Sequence, residues 1–236
     1  MKPKNVMFIT NYPAMKIGNY LLISDLHLGI TRELWLKGVS LPSQAKKFAD
    51  RINKLRRMTK TRKLIILGDL KHKVPGTSLQ ELREIPEFLS LLRFDKIILL
   101  KGNHDDNIEI LIPNKLKSKI TIRKTISIGK YFLSHGHQKA ALKSKKIIVI
   151  GHNQPGIKFQ DAAKAIYTEP AWIRGYLKNH QRIIIMPAFN ELSGFTTVNK
   201  DALLGPVAKQ LDFKRSHAYL MDGTDLGVLS SLKMKR

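Results

Sequence analysis

Leu64-Ile-Ile-Leu-Gly-Asp69 is a run of branched aliphatic residues that stops on a glycine and a carboxylate. A near-continuous apolar run of this length reads as a strand buried on both faces, as in the parallel sheet of an α/β protein. The same shape recurs at Tyr20-Leu-Leu-Ile-Ser-Asp25, Ile97-Ile-Leu-Leu-Lys-Gly-Asn103, Tyr131-Phe-Leu-Ser-His135 and Ile147-Ile-Val-Ile-Gly-His152, with a sixth run at Ile183-Ile-Ile-Met-Pro187. Between the first two runs, Ser43 is the expected cap of a helix carrying Ala45, Phe48, Ala49, Ile52 and Leu55 at three- and four-residue spacing. Before the third, Ser78 and Glu81 form a capping-box pattern, and Pro86 is expected to kink or split the helix that follows.

Beyond residue 106 the pattern changes. Ile120, Ile122, Ile126 and Ile128 alternate with mostly polar residues and lead through Gly129-Lys130 into Tyr131, which predicts one half-exposed antiparallel hairpin. A second hairpin is expected over His217–Leu229 around Asp222-Gly223. The first half thus alternates strand and helix and the second is β-rich. No repeat, low-complexity linker or break in composition divides the chain, so a single domain over residues 1–236 is expected.

Lysine and arginine number 42 against 18 aspartates and glutamates, a formal net charge of +24. Such a surface attracts anions, nucleic acid among them. The basic residues are nevertheless dispersed over Lys46–Lys63, Lys115–Lys124 and Lys143–Lys146, and few aromatics are interleaved with them, so no base-stacking platform is visible. Solvated lysines on helix faces account for the same composition. The absence of cysteine excludes disulfides, thiol nucleophiles and sulfur-ligated metals. No apolar run approaches the roughly 20 residues of a membrane span. The first ten residues have a basic start but no signal-type cleavage site, so a cytoplasmic protein with no membrane partner is expected. Nothing in the sequence sets the oligomeric state.

Open α/β sheets bind ligands beyond the carboxyl ends of their strands. Those ends here carry Asp25-Leu-His27, Gly68-Asp69, Gly102-Asn103-His104-Asp105, His135-Gly-His137 and Gly151-His152, so that six of the eight histidines, counting His72, lie at or beside the tips. A single aspartate after a strand is ordinarily a turn residue. Five tips bearing ligand-type groups together exceed what turn chemistry needs. Oxygen and imidazole donors without sulfur suit Mn²⁺, Fe²⁺, Ni²⁺ or Zn²⁺. Two such ions roughly 3.5–4 Å apart can clamp a phosphoryl group and generate hydroxide near neutral pH. Signatures of other enzyme classes are missing: no phosphate-binding loop, dinucleotide fingerprint or serine nucleophile elbow occurs.

The order Asp-x-His, Gly-Asp, Gly-Asn-His-Asp, His-Gly-His and Gly-His over residues 25–152 resembles the calcineurin-like metallophosphoesterase superfamily. Ser24-Asp-Leu-His-Leu-Gly29, Gly68-Asp-Leu-Lys-His72 and Met186-Pro-Ala-Phe-Asn190 with Val198-Asn199 are similar to its archaeal ICC-like branch, related to the ligase-associated phosphoesterases. The resemblance implies a four-layer αββα fold, a two-sheet sandwich flanked by helices. It implies a dinuclear centre with two divalent ions, Mn²⁺ foremost and Fe, Ni or Zn as alternatives. Asp25, His27 and Asp69 would hold the first ion; Asp69 would bridge to the second, completed by Asn103, His135 and His152. His104 would bond the phosphate or protonate the leaving oxygen, with Asp105 orienting its ring. His72 and His137 lie close by in sequence, as candidate substrate or supporting residues with no set role, and Asn190 after the sixth run either reaches the site or, as such an asparagine more often does, stabilises a turn.

One position departs from the family pattern. Where a second histidine normally follows Gly-His-x, this chain reads Gly151-His-Asn-Gln154. A neutral amide oxygen is a poorer donor to late transition metals, so a weaker first site favouring harder ions such as Mn²⁺ is expected. The implied function is a metal-dependent phosphoesterase, with phosphodiester or nucleic-acid substrates preferred. The alternative is a catalytically impaired member acting as a nucleic-acid or partner binding module. Further along, Phe159, Tyr167, Trp172 and Tyr176 read as core more readily than as a cleft lining, and Arg32 and Glu33 as either a site rim or the start of a helix.

Overall fold

A computed structural model describes residues 6–232; the outermost parts of the expected 1–236 domain, with the basic start of Met1–Thr10 up to Asn5, lie outside the described residues. Two sheets form the centre. The first runs in spatial order β1 (Val6–Phe8), β2 (Met15–Ile17), β3 (Tyr20–Ile23), β4 (Lys63–Ile66), β5 (Lys96–Leu100) and β6 (Ile120–Arg123). Its members β3 to β6 are parallel, and β1 and β2 add antiparallel at one edge. The second contains β7 (Thr125–Ile128), β8 (Tyr131–Ser134), β9 (Ile147–Ile150), β10 (Pro155–Gln160), β11 (Ile166–Tyr176), β12 (Arg182–Ile185), β13 (Thr196–Thr197), β14 (His217–Leu220) and β15 (Asp225–Val228). Its order is β13-β10-β11-β12-β9-β8-β7, with β14 on the far half of β11 and β15 beyond it.

Side-chain alternation explains the layers. Leu22, Ile65, Leu67, Ile98 and Leu100 point between the sheets, where they meet Leu133, Val149, Trp172, Ile184 and Met186 of the second sheet. Their neighbours Leu21, Ile23, Leu64, Ile66, Ile97 and Leu99 point outward against Phe48, Ala49, Ile52 and Leu55 of α2 (Ala45–Thr59) and Ile85 and Phe88 of α3 (Leu79–Leu91), the helices that follow the short α1 (Ile30–Leu36). Each fully buried aliphatic side chain contributes roughly 1.5–3 kcal/mol. The outer face of the second sheet packs Ile148, Ile150, Ile173 and Ile185 on Leu203, Val207, Ala208 and Leu211 around the four-residue α4 (Gly205–Ala208). The expected αββα layering is present, with a thin fourth layer.

Three local expectations are corrected. The alternating isoleucines do not form one hairpin: Ile120 and Ile122 lie on β6, parallel to β5, whereas Ile126 and Ile128 lie on β7, paired with β8. The chain changes sheets at Lys124, and only the Gly129-Lys130 turn is the predicted hairpin. Pro86 does not split its helix; α3 runs from Leu79 to Leu91 with the capping box of Ser78 and Glu81 in place. At α2 the cap position falls to Gln44, and Ser43 Oγ accepts from the Ala45 amide at 3.3 Å. The hairpin around Asp222-Gly223 forms as expected. Trp172 is buried core, edge-on to Phe8 at 4.9 Å, while Phe159 and Tyr167 stack on the β10–β11 hairpin.

Candidate metal centre

Strand register brings the tips to one level. Ile23 pairs with Ile66 and Ile66 with Leu99, so the loops after β3, β4 and β5 leave the first sheet side by side. Ile150 pairs with Ile185, which aligns the end of β9 with the end of β12 on the second sheet. The turns there are tight. Of the ten non-glycine residues with positive φ among the described residues, five are Asp25, His27, Asp69, His152 and Gln154. Such backbone costs of order 1–3 kcal/mol per residue and concentrates where function needs it. Two glycines allow the close approach. A Cβ on Gly102 would overlap Asp69 Oδ1 and lie 2.5 Å from the Asp69 amide; one on Gly151 would overlap Ser24 Oγ and lie 2.6 Å from Asp25 Oδ2.

Asp69 is the centre of the cluster and almost wholly buried. Its Oδ2 lies 3.1 Å from His135 Nε2 and 3.7 Å from His27 Nε2, and its Oδ1 accepts from the His104 amide at 3.0 Å. His135 donates from Nδ1 to the Leu67 carbonyl at 2.7 Å, which fixes the ring and leaves Nε2 facing Asp69 and, at 3.2 Å, Asn103 Oδ1. Asp25 accepts from Ser24 Oγ at 2.5 Å and from the His152 amide at 3.2 Å. Three groups have donor atoms within 4.8 Å of one another: Asp25, His27 and Asp69; Asp69, His135 and His152; and His27, His72 and His104. Asp69 belongs to two of them.

The electrostatics are those of a site short of positive charge. Burial pushes Asp25 up to about 6, with the nearby Asp69 charge adding to the shift and His135 opposing it. Burial would lower His135, yet the Asp69 and Asp25 carboxylates more than offset this and lift it to about 9. Burial would raise Asp69, but the His135 charge and hydrogen bond, with His27, hold it below the usual carboxylate range. Burial depresses His27 to about 3 and His152 to about 4, so both rings are neutral and available as ligands near pH 7. Two buried carboxylates sharing one imidazolium, ringed by neutral imidazoles, make a donor set that fits divalent cations.

Gln154 reaches this cluster. Its amide nitrogen lies among acceptors, Ser193 Oγ at 3.1 Å, Ser193 O at 3.0 Å and Gly194 O at 3.2 Å, which turns its oxygen toward His27 Nε2 at 2.8 Å. Asp105 does not do what the resemblance implied. Its carboxylate accepts the amides of Asp69 and Gly102 at 2.8 Å, Leu70 at 2.9 Å and Lys71 at 3.3 Å, tying the second and third tips together with no bond to the His104 ring. His104 Nδ1 instead donates to the His72 carbonyl. Asn190 is buried and stabilises a turn: it donates to Leu26 O at 2.8 Å and accepts the Leu192 amide, bracing the first tip. His72 lies 5.9 Å from the His104 ring, and His137 lies 5.3 Å from the His135 ring.

Supporting residues beyond the motifs hold the loop that carries His72. Glu81, recognised in sequence only as a helix cap, is fully buried and also accepts the His72 amide at 2.9 Å and the Lys73 amide at 2.6 Å. The buried Lys71 ammonium donates to Gly76 O at 2.7 Å and pairs with Asp106. Glu33 both opens α1 and bonds His72 Nε2 at 2.6 Å. An isolated buried glutamate or lysine leaves no mark in a single sequence; the capping pattern was the one usable signal.

A profile of the calcineurin-like phosphoesterase family matches residues 18–186, and the chain belongs to that family. It is therefore a metal-dependent hydrolase of phosphoester bonds. Among solved structures, the chain is similar to Pseudomonas putida nuclease MPE, with 20% identity over 91% of both chains and a TM-score of 0.58, a shared fold. An archaeal phosphodiesterase (17% identity over 72% of this chain and 83% of that one) and the E. coli phosphoesterase YfcE (14%, over 88% and 96%) overlap only loosely, each with a TM-score of 0.39. Curated protein sequences give no significant match. No helix among the described residues is long and apolar enough to cross a membrane.

Proposed function

We propose that the chain hydrolyses phosphodiesters, nucleic acid among them, at a centre holding two divalent ions, with Mn²⁺ the favoured metal. The observation that carries this reading is the position of the Asp69 carboxylate, common to the Asp25–His27 donors on one side and the His135–His152 donors on the other. Asp25, His27, Asp69 and the Gln154 oxygen would hold the first ion; Asp69, Asn103, His135 and His152 the second. Bound ions of this kind supply Lewis acidity and activate water near neutral pH. The protein's own part is to fix these donors on strained turns, to keep His27 and His152 neutral, and to present His104. With Nδ1 committed to the His72 carbonyl, His104 keeps Nε2 to bond a phosphate oxygen or to protonate the leaving oxygen. The positive surface and the nuclease name of the MPE neighbour favour polyanionic diesters over small monoesters.

The test is hydrolysis of an aryl phosphodiester and of single-stranded DNA with added Mn²⁺. Activity in the wild type, lost in Asp69→Ala and in His104→Ala, supports the proposal. Salt-sensitive DNA binding with no hydrolysis under any divalent ion would overturn it in favour of the binding module.

A further inference from the structure

At the end of the sandwich opposite the metal centre, where β9 and β12 begin, the two sheets part around an open pocket of about 430 Å³. That volume is in the range of small-molecule sites. Five residue steps separate its Ile147 edge from His152, roughly 17 Å at ~3.3 Å per extended residue. Arg174 of β11, Arg182 of β12 and Arg215 ahead of β14 converge there from three chain segments. The strand register makes this possible: Arg182 sits opposite Tyr176, and Arg174 opposite His217.

The three guanidiniums lie against rings rather than acids, and Arg215 also donates to His180 Nδ1. Arg174 lies 4.7 Å from the Phe8 ring and 4.8 Å from that of Tyr219, and Arg215 lies 4.4 Å from Tyr176. Among the described residues the arginine ion pairs are Arg51–Glu191 and Arg62–Asp95, so no pocket guanidinium has a carboxylate partner. Asp225 near the rim is engaged by His217 at 3.1 Å and by the Gly227 amide at 2.8 Å. The Tyr176 hydroxyl is lowered by the Arg182 hydrogen bond and charge and by Arg215, as expected where positive potential is uncompensated. Arginine forks bind phosphate bidentately, and flat rings beside them offer stacking faces.

We propose that this pocket is a nucleotide-binding site separate from the metal centre, taking a nucleoside monophosphate unit with its phosphate among Arg174, Arg182 and Arg215 and its base against Tyr176 or Tyr219. The unit comes either from a free nucleotide or from the phosphorylated end of a strand. Calorimetric titration of the EDTA-treated full chain separates the outcomes, using adenosine 5′-monophosphate, adenosine, inorganic phosphate and a 5′-phosphorylated oligothymidylate. The monophosphate should bind, with adenosine and phosphate each at least about tenfold weaker. Arg182→Gln combined with Arg215→Gln should weaken it by on the order of a hundredfold, and Arg174→Lys, which keeps charge but loses the fork, by about tenfold. Arg62→Gln, elsewhere on the surface, should change nothing. Tighter binding of the oligonucleotide assigns the strand end as the source, and equal or weaker binding assigns the free nucleotide; both support the site. The proposal falls if the monophosphate does not bind, if phosphate alone binds as well, or if the double variant binds unchanged. It also falls if the folded double variant loses Mn²⁺-dependent aryl phosphodiester hydrolysis, because the arginines would then belong to the metal centre.

Discussion

The two sides of Asp69 are built differently. On one side stand Asp25, His27 and Gln154, on the other Asn103, His135 and His152. His135 is pinned through Nδ1 to a backbone carbonyl, whereas the buried Nδ1 of His27 has no hydrogen-bond partner. The first side offers a second carboxylate and a neutral amide oxygen; the other offers two imidazoles and an asparagine. Oxygen-rich donors suit harder ions and imidazole-rich donors suit later transition metals. On the proposed two-ion reading, the His135 side is a pre-set pocket and the His27 side depends more on its guest, and four measurements press on that difference.

Asp69→Ala removes the donor that both sides share. Calorimetric Mn²⁺ titration should lose both binding steps together, and kcat should fall by at least about 10³-fold; loss of one step alone would mean that the sides do not share a carboxylate. Gly102→Ala, whose Cβ collides with Asp69, should cost about 2–4 kcal/mol in chemical denaturation and reduce metal binding on both sides. Gln154→His should tighten the first side by about tenfold for Zn²⁺ or Ni²⁺ and leave the other unchanged; equal affinities in both proteins would erase the asymmetry. The smallest effect is expected in the melting temperature of EDTA-treated protein, which should peak near pH 6–7. Below it, His27 and His152 have depressed pKa values, so the unfolded chain binds more protons and stability falls with acidification from about 6.5 toward 4; the raised Asp25 opposes this in part. Above it, the raised pKa of His135 means that its stabilising proton is lost as pH climbs from 6.5 through about 9. Added Mn²⁺ should flatten that alkaline limb.

The strand-and-tip half of the molecule was readable because its runs are local: each apolar stretch announces a strand and the next two or three residues are its tip. The remaining features depend on partners far along the chain. The alternation of Ile120 to Ile128 is the same whether the strands share a sheet or belong to two, so the crossover at Lys124 was invisible. The β10–β11 hairpin carries no local signal because its polar outer half belongs to a single 11-residue strand that turns from one set of neighbours to another. At the site, residue types showed which groups gather but not which way they face. Asp105 follows His104 directly, yet the backbone turns its carboxylate onto the Asp69 and Gly102 amides, a matter of φ and ψ rather than of spacing. The arginine pocket escaped for a related reason: Arg174, Arg182 and Arg215 carry no motif, and only cross-strand register unites them.

The collisions awaiting a side chain at Gly102 and Gly151 have an evolutionary corollary. The turns at Gly102 and Gly151 are each moulded around atoms that another tip contributes, so altering either turn in isolation disturbs a second tip. Compensating changes would have to arrive together in distant stretches of gene, which predicts strong epistasis among these turns. Gln154, whose amide nitrogen rests on the Ser193–Gly194 bend while its oxygen meets His27, is the one corner of the assembly held by a loop as well as by a tip.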